Sequence, residues 1–233
     1  MIPKIIHYVW VGGAPKSKVI QKCIASWQKR LPDYQIIEWN EDKIDLHANR
    51  YVEQAYQAKK WAFVSDYVRA KALYDMGGIY LDTDVMVLDS FDNLLSDRAF
   101  IGFENNDYLS AAIIGCEKGH PLASDILHYY DDLDFTFDQG DQLAGVNSLS
   151  VTDIAVDKYG LKKGNFDQVL KDGLHVYPDG ILCNPSPDSL SIHLFTGTWL
   201  EGKNSFKHDL VTFLKLHITS QKRAKIYYQV FRR

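Results

Sequence analysis

Asp82 and Asp84 stand two residues apart at the end of the apolar run Gly77-Gly78-Ile79-Tyr80-Leu81. Along a strand side chains alternate, so Tyr80, Asp82 and Asp84 share one face while Ile79 and Leu81 take the other. Two carboxylates held together beside a core are unfavourable, because each raises the pKa of the other and desolvation penalises both. A divalent cation reverses that balance: hard metals take carboxylate oxygens and bring the missing positive charge. The pair points to a metal. Just upstream, Asp66 and Arg69 are three residues apart on a helix and occupy one face. They can pair with each other as a purely structural ion pair. Beside a cation, they are expected instead to orient a polyhydroxylated ligand.

The elements that must position these groups read as alternating strands and helices. Ile2 to Val11 is rich in Ile, Val, Tyr and Trp and ends at Gly12-Gly13, as a buried strand running into a loop does. Lys18 to Arg30 has helical spacing, with Val19, Cys23 and Trp27 at four-residue steps. Tyr34 to Trp39 is a short strand. Tyr51 to Met76 is a helix in one or two pieces, closed by Gly77. Ile79 to Leu88 is a strand interrupted at the carboxylates. Ala99 to Phe103 and Ala111 to Cys116 are further strands, and Pro121 to Asp132 a helix. The pattern predicts an α/β fold, a Rossmann-like and mostly parallel sheet flanked by helices. Ligands of such sheets collect beyond the carboxyl ends of the strands. Trp10 to Gly13 and Asp82 to Asp84 both sit at such ends.

Composition narrows the classes. With 46% hydrophobic and 24% charged residues among 233, the chain reads as one globular domain. Its 14 Tyr, 11 Phe and 5 Trp suit a sugar or nucleotide site, but for most of them core packing is the expectation. Trp27, Trp39 and Trp61 read as packing, and His7 as a hydrogen-bonded core histidine. Three scattered cysteines, Cys23, Cys116 and Cys183, argue against a disulfide framework or a zinc site and for a reducing, cytoplasmic home. No run is apolar enough for a membrane helix. Charge is uneven: residues 203–233 carry a net +7, so the rest of the chain carries −11. We therefore divide the chain into a catalytic domain, 1–202, and a basic, amphipathic helical extension, 203–233. Within the extension, Phe206 to Ile218 reads as packed on the domain, and Gln221 to Arg233 as a segment for an anionic membrane surface.

The run Ala62 to Arg69, with Leu73-Tyr74 and Gly77 to Val85, resembles the DXD sugar-binding region of glycosyltransferase family 32. That family includes capsular-polysaccharide transferases and fungal initiating mannosyltransferases, and is similar to the catalytic domain of the large glucosylating toxins. Ile2 to Gly13 and Ser191 to Trp199 resemble the same group. The resemblance implies a GT-A fold and a metal-dependent hexosyltransferase that uses a nucleotide-diphosphosugar. It further implies that Asp84 ligates the metal, with Asp82 touching the ribose, the sugar or the metal through water. His193 would complete a shell suited to manganese, with magnesium as the substitute. Trp10 would stack on the base, with Tyr80 beside it in the donor site. Trp199 would donate its indole N–H to the diphosphate, and Thr198 stands where a serine is expected but keeps a hydroxyl. Asp66 and Arg69 would hold sugar hydroxyls. The donor is expected to be a UDP-hexose and the acceptor a glycan or lipid-linked glycan, with retention of configuration. Glu104, Asn105 and Asp107 are candidates for the acceptor side.

One alternative comes from another class. Leu81-Asp82-Thr83-Asp84-Val85 also matches the opening motif of haloacid-dehalogenase-type phosphohydrolases, with Asp82 as nucleophile and magnesium as the metal. That motif belongs near a chain's start, and the alternative leaves Ser65 to Arg69 unused. A module that binds a sugar nucleotide without turnover is the third possibility.

Overall fold

The computed structural model describes residues 1–136, 147–197 and 206–231, with side chains described from residue 210 onward in the last stretch. The chain opens with β1 (Ile5–Val9), α1 (Lys18–Arg30), β2 (Gln35–Trp39), α2 (Arg50–Gln57) and α3 (Trp61–Met76). The strands β3 (Gly78–Leu81), β4 (Val85–Val87), β5 (Ala99–Phe103) and β6 (Leu109–Cys116) follow, then α4 (Pro121–Asp131) and α5 (Asn147–Ile154). After α5 a π-helical turn covers Ala155–Tyr159. The rest comprises β7 (Gln168–Val169), β8 (Leu174–Tyr177), α6 (Asp179–Leu182), β9 (Ser191–His193), α7 (Phe206–Leu216) and α8 (Gln221–Phe231).

Local chemistry sets several of these boundaries. The Ser17 and Asn49 side chains accept from the first free N–H groups of α1 and α2, and Pro121 occupies the first turn of α4. The Tyr51–Met76 stretch is broken into α2 and α3 by Lys59, which takes a left-handed conformation. Gly77 ends α3 at φ 68°, where a Cβ would come within 2.6 Å of the Lys118 backbone nitrogen.

Seven strands form the main sheet in the order β2-β1-β3-β6-β5-β8-β7. Five of them, β1, β2, β3, β5 and β8, run the same way; β6 and β7 run against them. The sheet is therefore mixed, because β6 is inserted between β3 and β5 and pairs antiparallel with both. One core fills the α3/α4 face around Val64, Leu73, Ile101 and Ile126, and a second fills the α1 face around Trp27, Ile79 and Phe91. The small antiparallel sheet β4–β9 carries a third, in which Met86, Leu88, Ile192 and Leu194 meet Cys23 of α1, Ile218 and Ala224 of α8. The C-terminal segment is thus packed against β4 and β9, the first of which follows the acidic pair. His7 is a core histidine as expected: Trp39 Nε1 donates to its Nδ1 at 3.2 Å, so its Nε2–H donates to the Gly77 carbonyl at 2.8 Å.

Candidate active site

The two carboxylates meet through a turn and not through strand alternation. β3 stops at Leu81, the Val85 N–H returns to the Asp82 carbonyl at 3.0 Å, and β4 begins. Tyr80 and Asp82 do share a face, since the Tyr80 hydroxyl donates to Asp82 Oδ1 at 2.9 Å. Asp84 lies past the bend and is directed towards β9, whose His193 is paired in register with Val85.

Asp84 is 9% exposed, and both of its oxygens have partners. His193 Nε2 is 3.1 Å from its Oδ1, while the Thr196 N–H and hydroxyl both donate to its Oδ2 at 2.9 Å. Burial alone would raise the Asp84 pKa, but the His193 charge and the Thr196 donors outweigh it and hold the carboxyl well below the usual range. Burial likewise disfavours a charged His193, and the Asp84 carboxylate reverses this, lifting the imidazole well above its ordinary value.

Asp82 belongs to a second network. Arg69, 4% exposed, extends Nη2 to Asp66 Oδ1 at 3.0 Å and to Asp82 Oδ1 at 3.2 Å. Its Nη1 donates to the Ala111 carbonyl at 2.6 Å, and its guanidinium lies 4.6 Å from the Tyr80 ring centroid. A register shift in the β5–β6 pairing at Ile101/Gly102 leaves Ala111 without a β5 partner, which frees that carbonyl for Arg69. Asp66 is 6% exposed and also accepts from Asn147 Nδ2 at 2.9 Å. Burial outweighs Arg69 and Asn147 and pushes its pKa up to about 7. The structure therefore brings Asp66, Arg69, Tyr80, Asp82, Asp84 and His193 into one region. In it, Arg69 ties two acids together and has spent its main donors inside the protein.

Ligand atoms of Asp82, Asp84 and His193 all lie within 4.8 Å of one another. Two carboxylates and an imidazole, with Asp82 partly open to solvent, fit a divalent cation of the manganese or magnesium kind. Trp10 follows β1, whose parallel pairing with β3 sets it at the same sheet edge as Asp82. Its indole N–H is held by the Ala14 carbonyl at 2.8 Å, and the Lys16 ammonium lies 5.3 Å from its ring centroid. Gly12, in the same loop at φ 88°, lies so close to Trp61 that a Cβ there would come within 2.5 Å of the indole. The loop therefore rests on the start of α3, the helix that carries Asp66 and Arg69. Thr198 and Trp199 lie outside the described residues.

Sequence reasoning did not find Asn147, Thr196 or the Ala111 carbonyl. An isolated Asn or Thr carries no spacing signal, and a backbone carbonyl carries none at all.

Residues 17–101 match the model of the glycosyltransferase sugar-binding region containing the DXD motif. Over that stretch the chain is similar to the sugar-binding regions of DXD-containing glycosyltransferases. Inositol phosphoceramide mannosyltransferase 3 of Schizosaccharomyces pombe is 30% identical over 128 residues, covering 52% of this chain and 35% of that protein. The chain spans about a third or less of the length of the curated relatives it matches. Among solved structures, the apo form of the glycosyltransferase GlyE of Streptococcus pneumoniae TIGR4 aligns at TM-score 0.51 and 10% identity, over 99% of this chain and 64% of that one. The PaToxG glycosyltransferase aligns at TM-score 0.50 and 18% identity, over 66% of this chain and 68% of that one. The fold of the domain is that of the GT-A glycosyltransferases. The phosphohydrolase alternative is not favoured, because the family match covers the Ser65 to Arg69 segment that it leaves unused.

Proposed function

We propose that this domain transfers a hexose from a nucleotide-diphosphosugar to a glycan or lipid-linked acceptor, with a divalent cation held by Asp82, Asp84 and His193. The observation that carries this reading is the convergence of those three side chains at the carboxyl edge of a GT-A sheet. When bound, the cation would supply positive charge to the diphosphate as the sugar–phosphate bond breaks. Manganese is favoured over magnesium because an imidazole is in the donor set.

The chain's own residues supply the rest. Trp10 offers an aromatic surface for the base, with Tyr80 behind Asp82 in the donor site. Asp66 is held by Arg69 and Asn147, and is our candidate to accept from a donor-sugar hydroxyl. Arg69 acts through Asp66 and Asp82, since its nitrogens are already occupied. Thr198 and Trp199 remain our candidates for the diphosphate.

On the acceptor side we propose Glu104. It follows β5, which runs parallel to β3, so it lies at the same sheet edge as Asp82. Its backbone is pinned by the Tyr108 carbonyl and Asn184 Nδ2, and its carboxylate accepts from the Ser148 hydroxyl at 3.3 Å. Ser148 adjoins Asn147, which holds Asp66, so the first turn of α5 links the two acids.

We also propose that transfer retains configuration, that the donor is a UDP-hexose, and that α8 brings the domain to an anionic cytoplasmic bilayer surface. Lys222, Arg223, Lys225, Ile226 and Val230 are exposed on α8, which supports the last point. No described helix is long and apolar enough to cross a membrane.

A thermal-shift screen of UDP- and GDP-hexoses, with and without Mn²⁺, tests the central reading. A metal-dependent rise in melting temperature with at least one donor, followed by release of its nucleoside diphosphate, is the expected outcome. No response to any donor, together with phosphate release from p-nitrophenyl phosphate, would favour the phosphohydrolase.

A further inference from the structure

Helix α7 carries a lysine whose surroundings are unusual for that side chain. Lys215 is only 6% exposed, whereas lysines ordinarily keep their ammonium in water. Its Nζ donates to the His193 carbonyl at 3.0 Å. The same ammonium lies 4.6 Å from the centroid of the Phe195 ring, a cation–π distance. The Phe195 ring is 4.0 Å from the His193 imidazole, tilted by 37°. One turn earlier on α7, the Thr212 hydroxyl reaches the Leu194 carbonyl at 3.4 Å. Three consecutive residues, His193, Leu194 and Phe195, are thus touched from one helix face.

The segment they form needs holding. Phe195 has φ 56°, in the left-handed region that a bulky side chain avoids without support from its surroundings. The kink at Phe195 carries the chain from β9 to Thr196, whose N–H and hydroxyl reach Asp84. His193 at one end and Thr196 at the other are the two residues that fix the Asp84 carboxylate. Whatever sets the path from residue 193 to residue 196 therefore sets the geometry of the candidate metal cluster.

We propose that Lys215 is a positioning residue for the metal site: it fixes the His193 carbonyl and the Phe195 ring, and so aims His193 and Thr196 at Asp84. The inference rests on the metal-dependent transferase reading and extends it to α7, which the sequence presents as the packed part of a basic extension. Groups that orient a metal ligand typically cost about 10- to 100-fold in metal affinity when removed.

Two variants test this. Lys215→Met keeps the stem and removes both charge and donor; Lys215→Gln keeps an N–H donor and loses the charge over Phe195. Each is compared with the full chain for Mn²⁺ affinity, read from the electron-paramagnetic-resonance signal of free Mn²⁺, and for melting temperature without metal. Lys215→Arg serves as the conservative rescue, and the exposed Lys222→Met as the control on the neighbouring helix. Expected are a loss of Mn²⁺ affinity of 10-fold or more in the folded Met or Gln variant, recovery to within about threefold in Lys215→Arg, and no change in Lys222→Met. Wild-type affinity in either folded variant, or an equal loss in Lys222→Met, overturns the role of Lys215 and leaves the transferase reading intact. A wild-type chain that does not bind Mn²⁺ at all overturns the metal reading itself.

Discussion

His193 Nε2 lies 3.1 Å from Asp84 Oδ1 although 109 residues separate them in the chain. β4 and β9 make the pairing possible, with Val85 opposite His193, so the contact is a property of the small sheet and not of a loop. His193 Nε2 occupies one side of a carboxylate that Thr196 holds on the other. A cation held there would compete with a proton on His193 for the same charge, because a ligating imidazole must be neutral.

Asp84→Asn removes the charge and keeps the shape. Without it the cluster loses its most engaged acid, and we expect nucleotide release from the donor to fall on the order of 10²-fold or more. Turnover is measured with Mn²⁺ in excess, beside a melting curve to show that the variant is folded. Activity within threefold of the unmodified chain would remove Asp84 from the mechanism.

The sequence singles out side chains that the fold brings together, Asp82, Asp84 and His193. Asp82 and Asp84 stand out at the end of a short apolar run, Gly77 marks a helix end by its identity, and His193 enters only through the family resemblance. The bounds of α1 follow from its helical spacing and those of β5 from a short apolar run, whereas the place of the break between α2 and α3, open in the sequence, is set by Lys59. The insertion of β6 between β3 and β5 does not, because strand order depends on long-range pairing that no local pattern encodes. Alternation assigned Asp84 to the face of Tyr80, and the turn at Asp82–Val85 redirected it. The basic stretch from Gln221 onward reads in sequence as a surface segment, yet Ala224 is buried against Met86 and Ile192. A single small residue on an otherwise charged helix gives too weak a signal to show which face is covered.

Arg69 is the next test. It is nearly inaccessible and lies between Asp66 and Asp82, so Arg69→Met leaves two acids without their cation and is expected to cost about 3–5 kcal/mol of stability. Arg69→Lys restores a charge but not a fork that can reach two carboxylates and the Ala111 carbonyl together, and should recover only part of the loss. Urea unfolding at neutral pH measures both. An Arg69→Met variant as stable as the unmodified chain would mean that the network carries no structural weight.

The raised pKa of Asp66 predicts a pH dependence of definite sign. Between its ordinary value of 3.8 and about 7, the folded protein holds a proton that the unfolded chain has released. Stability contributed by this group therefore falls as pH rises through that window. Asp66→Asn does not titrate there. From pH 4.5 to 7.5 the unmodified chain should lose roughly 2–4 kcal/mol relative to Asp66→Asn, measured by denaturant unfolding at each pH. Because both proteins share the Asp84–His193 pair, its contribution cancels in the comparison. A difference that stays flat or changes in the opposite direction would show that Asp66 is ionised throughout.

If α8 meets an anionic bilayer, its exposed cations should control the contact. Each basic residue near such a surface contributes about 1 kcal/mol, so reversing Lys222, Arg223 and Lys225 to Glu should lower partition onto phosphatidylserine vesicles by 10²-fold or more. These side chains are exposed, whereas removing the whole of α8 would also strip Ala224 from the core. Sedimentation with phosphatidylserine and with neutral phosphatidylcholine vesicles separates charge from general stickiness. Equal binding by the reversed and unmodified proteins would end the membrane proposal.

Under the proposed reading, Glu104 serves the acceptor half of the reaction alone. Its carboxylate contacts Ser148 at the sheet edge that we propose meets the acceptor, and touches none of Asp82, Asp84 or His193 among the described hydrogen bonds. Glu104→Gln preserves size and a hydrogen-bonding carbonyl while removing the charge that would hold an acceptor hydroxyl. We expect the transfer rate to a supplied glycan to drop about 10- to 10³-fold, while hydrolysis of the donor by water stays within about threefold. Both rates come from one assay: total nucleoside diphosphate released, less the free hexose formed, gives transfer. Parallel losses in the two rates would move Glu104 to the donor side, and no loss in either would remove it from the site.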